Sequence, residues 1–81
     1  MMTFKVVKSC AGRDKGSLLA VIGEERDFVL VVDGKARPLE RPKKKNLRHI
    51  EFIGQSLNKD VFISNKSLRR ALKAYVIRED F

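Results

Sequence analysis

The stretch LLAVIGEERDFVLVV, residues 18–32, decides the fold that this chain can adopt. It contains two apolar runs, LLAVI and FVLVV, on either side of a polar turn at residues 23–27. A strand with one solvated face alternates apolar and polar positions, whereas these runs are apolar throughout. Both of their faces therefore need cover. A small closed barrel covers one face, and a helix packed outside the barrel can cover the other.

Strand signals continue on both sides of this stretch, and turn signals separate them. AGRDKG, residues 11–16, is a turn because its two glycines tolerate positive φ. Asp33 and Gly34 form a hairpin signal, since a type I′ turn needs positive φ at both central positions. Residues 54–59 are predicted as a flexible loop, and residues 60–63 as a short extra strand or a loop. The predicted strands occupy residues 4–10, 18–22, 28–32, 35–40 and 48–53.

The last segment changes to the period of an α-helix. One apolar face follows the spacing i, i+3, i+4, i+7 and i+8, at Leu68, Ala71, Leu72, Tyr75 and Val76. Ser64 or Asn65 can serve as the N-cap. The sequence therefore predicts one mainly-β domain over residues 1–81, with a five-stranded barrel at about 3–63 and a C-terminal α-helix at about 65–78.

Positive charge dominates the composition and concentrates in one segment. The chain has 18 Lys and Arg against 10 Asp and Glu, a formal net charge of +8. RPKKKN, residues 41–46, forms the centre of a basic stretch between Lys35 and Arg48, in which Glu40 is the only acid. A loop that serves only solubility would more often mix signs. Charge of one sign and this density favours contact with a polyanion, and nucleic acid is the largest one available.

The sequence argues against catalysis, metal binding and a disulfide. Cys10 and His49 are the only residues of their types, so neither an intramolecular disulfide nor a zinc site is expected. They could form a catalytic pair only if the fold brought them together in a pocket; otherwise Cys10 is a small buried strand residue. Nucleotide-binding, hydrolase and metalloprotease motifs are missing. No apolar run approaches a membrane span, and the cysteine usage fits the reducing cytoplasm.

The aromatic residues do not suggest a platform for base stacking. Phe4, Phe28, Phe52 and Phe62 lie within apolar strand patterns, which predicts that they belong to the core. Contacts to the sugar–phosphate backbone are therefore favoured over sequence readout. His49 is either a surface residue or a contact to a base or sugar.

Several motifs at fixed spacing resemble one protein family. VVKSCAGRDKGSLLAVI, residues 6–22, is similar to a KOW motif, a strand–loop–strand unit with a key glycine in its loop. DGKAR at 33–37, PKKKN at 42–46 and His49 followed by an apolar residue extend the resemblance to the small bacterial KOW-domain RNA-binding proteins. These proteins are similar to KOW-containing large-subunit ribosomal proteins of archaea and eukaryotes. Cys10 departs from the pattern, which has lysine there.

The resemblance implies an SH3-like barrel that binds RNA, with ribosomal RNA or the ribosome as the expected partner. We therefore expect a monomeric, non-catalytic cytoplasmic protein of translation, without cofactor, metal, membrane or small-molecule substrate. The alternative is a protein-interaction module for an acidic partner in translation or transcription. The polar helix face with Arg69, Arg70 and Lys73 is interpreted as a solvated surface. The predicted RNA-binding residues are Arg13, Lys15, Lys35, Arg37, Arg41, Lys43, Lys44, Lys45, Arg48 and His49.

Overall fold

The computed structural model describes residues 3–79, except the side chains of Gln55 and of residues 76–79. The prediction for the Val76 side chain therefore lies outside the described residues. Two short 3₁₀ helices, Leu47–His49 and Lys59–Ile63, flank the last strand. The main elements, in chain order, are β1 (Lys5–Ser9), β2 (Leu18–Glu25), β3 (Phe28–Val32), β4 (Lys43–Asn46), β5 (Ile50–Ser56) and α1 (Asn65–Glu79).

The five strands form one antiparallel sheet in the order β4-β3-β2-β1-β5. The predicted mainly-β fold with five strands and a C-terminal helix is confirmed. This strand order is consistent with a small SH3-like barrel. Within residues 3–79 the ladders join β4 only to β3 and β5 only to β1, so closure of the barrel stays a prediction.

The sheet is buried on both faces, as the apolar runs in β2 and β3 require. Alternate residues of a strand point to opposite faces, so each run supplies two clusters. On one face α1 covers the sheet with Leu68 and Leu72, of which 0% and 6% remain exposed. That cluster contains Val6, Ala20, Val32, Leu68 and Leu72. The face opposite α1 carries Val7, Leu19, Val21, Val29 and Val31.

Ser64 and Asn65 have different roles at the start of α1. Ser64 is the N-cap, because its hydroxyl accepts from the backbone N–H of Ser67 at 3.1 Å. Asn65 instead holds the preceding loop: its side-chain oxygen accepts from the N–H of Leu39, and its amide donates to Glu40, both at 2.8 Å. The first turn of α1 therefore also anchors residues 33–42.

The predicted fourth strand at residues 35–40 is wrong. The Asp33 carboxylate accepts from the backbone N–H groups of Lys35 and Arg37, both at 2.8 Å, and so folds this segment into a compact loop. A side chain that satisfies backbone donors locally competes with a β-ladder. Gly34 has the predicted positive φ, +81°, but it turns the chain toward α1 and not into a hairpin strand. The fourth strand is the basic segment Lys43–Asn46.

Other local predictions also need correction. The strand predicted at 48–53 starts at Ile50, because Asn46 caps the 3₁₀ helix before it. Residues 54–56, predicted as part of a loop, continue β5, and residues 60–63 belong to a 3₁₀ helix.

Three side chains predicted to be buried are exposed. Cys10 follows the end of β1 and is open to solvent. Phe28 and Phe52 are 37% and 47% exposed. Phe28 lies at the end of the β3–β4 pairing, and Phe52 lies on β5 at the edge of the sheet. Phe4 and Phe62 are half-buried, and their ring centroids lie 4.9 Å apart.

Candidate nucleic-acid interface

The three consecutive lysines of β4 lie in three different environments. Lys43 and Lys45 lie on the face of β4 that looks toward the core opposite α1, and Lys44 lies on the other face. Lys45 is buried, Lys43 is half-buried and Lys44 is exposed. Strand alternation thus divides a run that is uniformly basic in the sequence.

Lys44 keeps an accessible ammonium group. Its Nζ lies 3.6 Å from a carboxylate oxygen of Glu25 and 5.1 Å from the ring centroid of Phe28. About half of each side chain of the ion pair is exposed, 53% and 52%. Exposed pairs of this kind are weak, so an anionic ligand can compete with Glu25 for Lys44.

The Lys45 ammonium makes a buried contact with the loop after β1, which we call the latch. Its ammonium donates to Oδ1 of Asp14 at 2.7 Å and to the carbonyl oxygen of Ala11 at 3.0 Å. The Ser9 hydroxyl donates to the same carboxylate oxygen at 2.9 Å. Only 6% of the Lys45 side chain and 16% of the Asp14 side chain are exposed. Lys45 therefore fastens the loop after β1 to β4 and is not open to a phosphate, contrary to the prediction.

The charge state of Asp14 follows from this environment. Burial raises the pKa of Asp14, but the hydrogen bonds from Lys45 and Ser9, with the positive charge of Lys45, more than offset it. The pKa of Asp14 consequently lies below its ordinary value of 3.8. The latch is an ion pair at neutral pH.

The latch brings together basic residues that are distant in sequence. It draws the loop at residues 11–17 against β4, and the Cys10 N–H donates to the carbonyl oxygen of His49 at 2.7 Å. Both contacts place the loop beside the chain that carries the second basic segment. All members of the resulting surface are exposed, except the half-buried Lys43. We define this loop face as Arg13, Lys15, Lys43, Arg48 and His49.

The other predicted site residues lie in the loop between β3 and β4, at residues 33–42. Arg41 is exposed there, with its backbone N–H bonded to the carbonyl oxygen of Pro38. Arg37 is half-buried, and its Nε is buried without a hydrogen-bond partner among the described residues. Lys35 is exposed but lies against α1. The structure therefore divides the predicted site instead of joining it into one surface.

Lys35 forms a second basic surface with helix side chains, three of which were predicted to form a solvated surface. It lines a concavity of about 380 Å³ together with four cations of α1. The α1 residues follow the spacing i, i+3, i+4 and i+7, so they form a second stripe along the helix beside its apolar face. We define this α1 groove as Lys35, Lys66, Arg69, Arg70 and Lys73.

Cys10 and His49 do not form an enclosed site. Cys10 lies in an open depression with Lys8, Lys15 and Glu51, and His49 does not line it. Among residues 3–79 no group of three or more His, Cys, Asp or Glu could hold a metal ion. The described part of the chain also contains no helix of the length and apolarity that crossing a membrane requires.

No protein-family model matches the chain, and no curated protein matches its sequence. The fold and the two basic surfaces are therefore the evidence for its function.

Proposed function

We propose that this protein is a non-catalytic RNA-binding protein of the KOW type, which binds the sugar–phosphate backbone through the loop face. Its proposed place is the cytoplasm, and its proposed partner is ribosomal RNA or the ribosome. The observation that carries the proposal is the latch. This buried ion pair holds two basic segments together, although they lie about 30 residues apart in the sequence.

A fixed loop is useful for binding because its side chains lose less freedom when a ligand arrives. The latch uses one cation, Lys45, to hold Asp14 and Ala11, and it leaves Arg13 and Lys15 exposed on the same loop. The acid in the motif AGRDKG is therefore neutralised inside the protein and does not repel a phosphate. Arg13 and Lys15 have no ion pair within the described residues.

Binding through phosphate contacts should depend on salt concentration in a quantitative way. Each contact releases condensed counterions, so the logarithm of the binding constant falls linearly with the logarithm of the salt concentration. Contacts of this kind hold the ligand in register and do not select a base sequence. We therefore expect similar affinities for unrelated RNAs of equal length.

The test compares two variants that each remove two positive charges. Arg13→Gln with Lys43→Gln changes the loop face, whereas Arg26→Gln with Lys59→Gln changes exposed residues that lie in neither basic surface. We expect the loop-face variant to lower the salt slope of RNA binding by about 0.7–0.9 for each lost contact, and the control to leave it nearly unchanged.

Equal effects of the two variants would contradict a binding role for the loop face. Wild-type protein that shows no salt-dependent RNA affinity would overturn the proposed function itself. In that case, binding to an acidic protein from translation or transcription would become the better hypothesis. Competition by polyglutamate, measured with the same fluorescent RNA, separates a general preference for acidic chains from one for RNA.

A further inference from the structure

The cations of α1 are arranged in a way that weakens the helix. Lys66 and Arg70, like Arg69 and Lys73, are four residues apart, and like charges at this spacing repel each other. Lys66 also lies in the first turn, where the helix dipole favours an acid. A helix face that served only solubility could carry acidic residues that offset this repulsion. In α1 no acidic residue precedes Glu79.

The α1 groove contains no acidic side chain in its lining. Its five lining residues all carry positive charge, and none has an ion-pair partner within the described part of the chain. The loop supplies Lys35, which the Asp33 turn and the Asn65 contacts hold beside the helix. A concave surface with one sign of charge concentrates the field and attracts anions.

An open depression connects the α1 groove to the loop after β1. This depression has a volume of about 410 Å³, and its lining includes Gly16 and Ser17 of that loop. It also includes one acid, Asp33, whose carboxylate accepts from the backbone N–H groups of Lys35 and Arg37. Lys35, Arg69 and Lys73 line both the depression and the α1 groove. Gly16 also lines the open depression that contains Lys15, so the two depressions together join the loop after β1 to the α1 groove. A chain of phosphates can follow this path, whereas a single small anion would occupy only part of it.

The buried side of α1 distinguishes this surface from a membrane-binding helix. An interfacial helix inserts its apolar face into lipid. The apolar face of α1 is already used, because Leu68 and Leu72 are buried against the sheet. Among the α1 side chains that the structure describes, the large exposed ones are all charged.

From these observations we infer that the α1 groove is a second phosphate-binding site, which holds the backbone of a single RNA strand that also contacts the loop face. The inference rests on the proposed function and adds a contact surface that the basic motifs of the sequence do not include. Lys35 belongs to the α1 groove in this assignment, and Arg69 and Lys73 are the residues at which the strand leaves the depression.

The experiment measures the affinity of a fluorescein-labelled oligouridine as a function of salt for three double variants. Arg69→Gln with Lys73→Gln changes the α1 groove, Arg13→Gln with Lys43→Gln changes the loop face, and Arg26→Gln with Lys59→Gln is the matched control. Each of the three variants removes two positive charges, from side chains that lie outside the buried core. Thermal melts of each variant verify that the fold is retained.

We expect the α1 variant to lose two contacts with a single strand, which lowers the salt slope by about 1.4. If variant and wild type bind equally at about 1 M salt, this change corresponds to about 25-fold weaker binding at about 0.1 M salt and about fivefold weaker binding at about 0.3 M. Arg69→Lys with Lys73→Arg, which keeps both charges, should retain most of the wild-type affinity.

The possible failures are distinguishable. If the loop-face variant loses affinity while the α1 variant behaves like the control, the RNA-binding proposal stands and the α1 inference is overturned. If the wild-type protein does not bind oligouridine in a salt-dependent manner, both are overturned. If polyglutamate displaces RNA from the wild type as well as unlabelled RNA does, the protein prefers acidic chains in general, and both proposals are overturned.

Discussion

Single residues show where the sequence was misleading about the candidate site. Lys45 is one of three identical neighbours, and the sequence gives it the same role as Lys43 and Lys44. Its burial depends on strand alternation and on Asp14, which lies 31 positions away. The burial of Lys45 therefore follows from a long-range contact that the local sequence does not contain.

The latch gives a prediction about stability. Lys45→Met should reduce the free energy of unfolding by about 1–3 kcal/mol, because it leaves the partly buried Asp14 carboxylate without its cation. Lys44→Met removes an exposed pair and should change stability by less than about 1 kcal/mol. Urea melts of both variants measure the difference.

A double-mutant cycle tests the interpretation of that loss. Asp14→Asn together with Lys45→Met should be less destabilising than the sum of the single changes, because no unpaired charge remains. Additive effects would show that the two side chains do not interact.

The lowered pKa of Asp14 predicts how stability depends on pH. A carboxyl group with a lower pKa in the folded state stabilises the protein above its unfolded pKa, near 3.8. This contribution is lost as the pH falls from that value through the folded pKa. We therefore expect wild-type stability to fall more steeply than that of Asp14→Asn below about pH 4. Parallel curves from chemical melts across this range would contradict the assignment.

At the scale of elements, the strongly periodic segments were predictable and the segments with side-chain turns were not. α1 and the strands β2 and β3 follow from their apolar patterns. The loop at residues 33–42 does not, because the Asp33 carboxylate and the Asn65 amide replace the ladder that the Asp-Gly pair suggested. The α1 groove was missed for a related reason, since its loop residue and its helix residues are joined only by this docking.

Two glycines with similar backbone angles test the docking of that loop. Gly34 and Gly16 have φ of +81° and +91°, so alanine strains the backbone at both positions by about 1–2 kcal/mol. At Gly34 the added methyl group would also collide with the carbonyl oxygen of Asn65, whereas at Gly16 it meets open space. Gly34→Ala should therefore lower the melting temperature more than Gly16→Ala does. Equal decreases would show that the loop is not packed on α1.

At the scale of the whole molecule, the architecture was easier to predict than the distribution of charge over it. Two apolar strands that need cover on both faces define a sheet between two clusters, and the structure has both clusters. The net charge of +8 predicts a polyanionic partner but not the location of the contact. That location depends on how the loops fold back on the sheet and on α1.

The excess positive charge also predicts a conflict between stability and binding. Arg69→Gln with Lys73→Gln relieves repulsion along α1, so the variant should be about 0.5–1 kcal/mol more stable than wild type at low salt. The gain should disappear as salt screens the charges. Melts at several salt concentrations measure this effect. A variant that is less stable at every salt concentration would show that these side chains support the fold.

The position of β1 in the sheet has a consequence for the order of folding. β1 pairs with β2, its neighbour in the chain, and also with β5, whose residues Ile50–Ser56 are made much later. During synthesis β1 to β4 can assemble in sequence as a meander, while one edge of β1 stays open until β5 emerges. Contacts between distant segments form slowly. Until then, the exposed edge of β1 is the part of the nascent chain most vulnerable to pairing with the wrong strand.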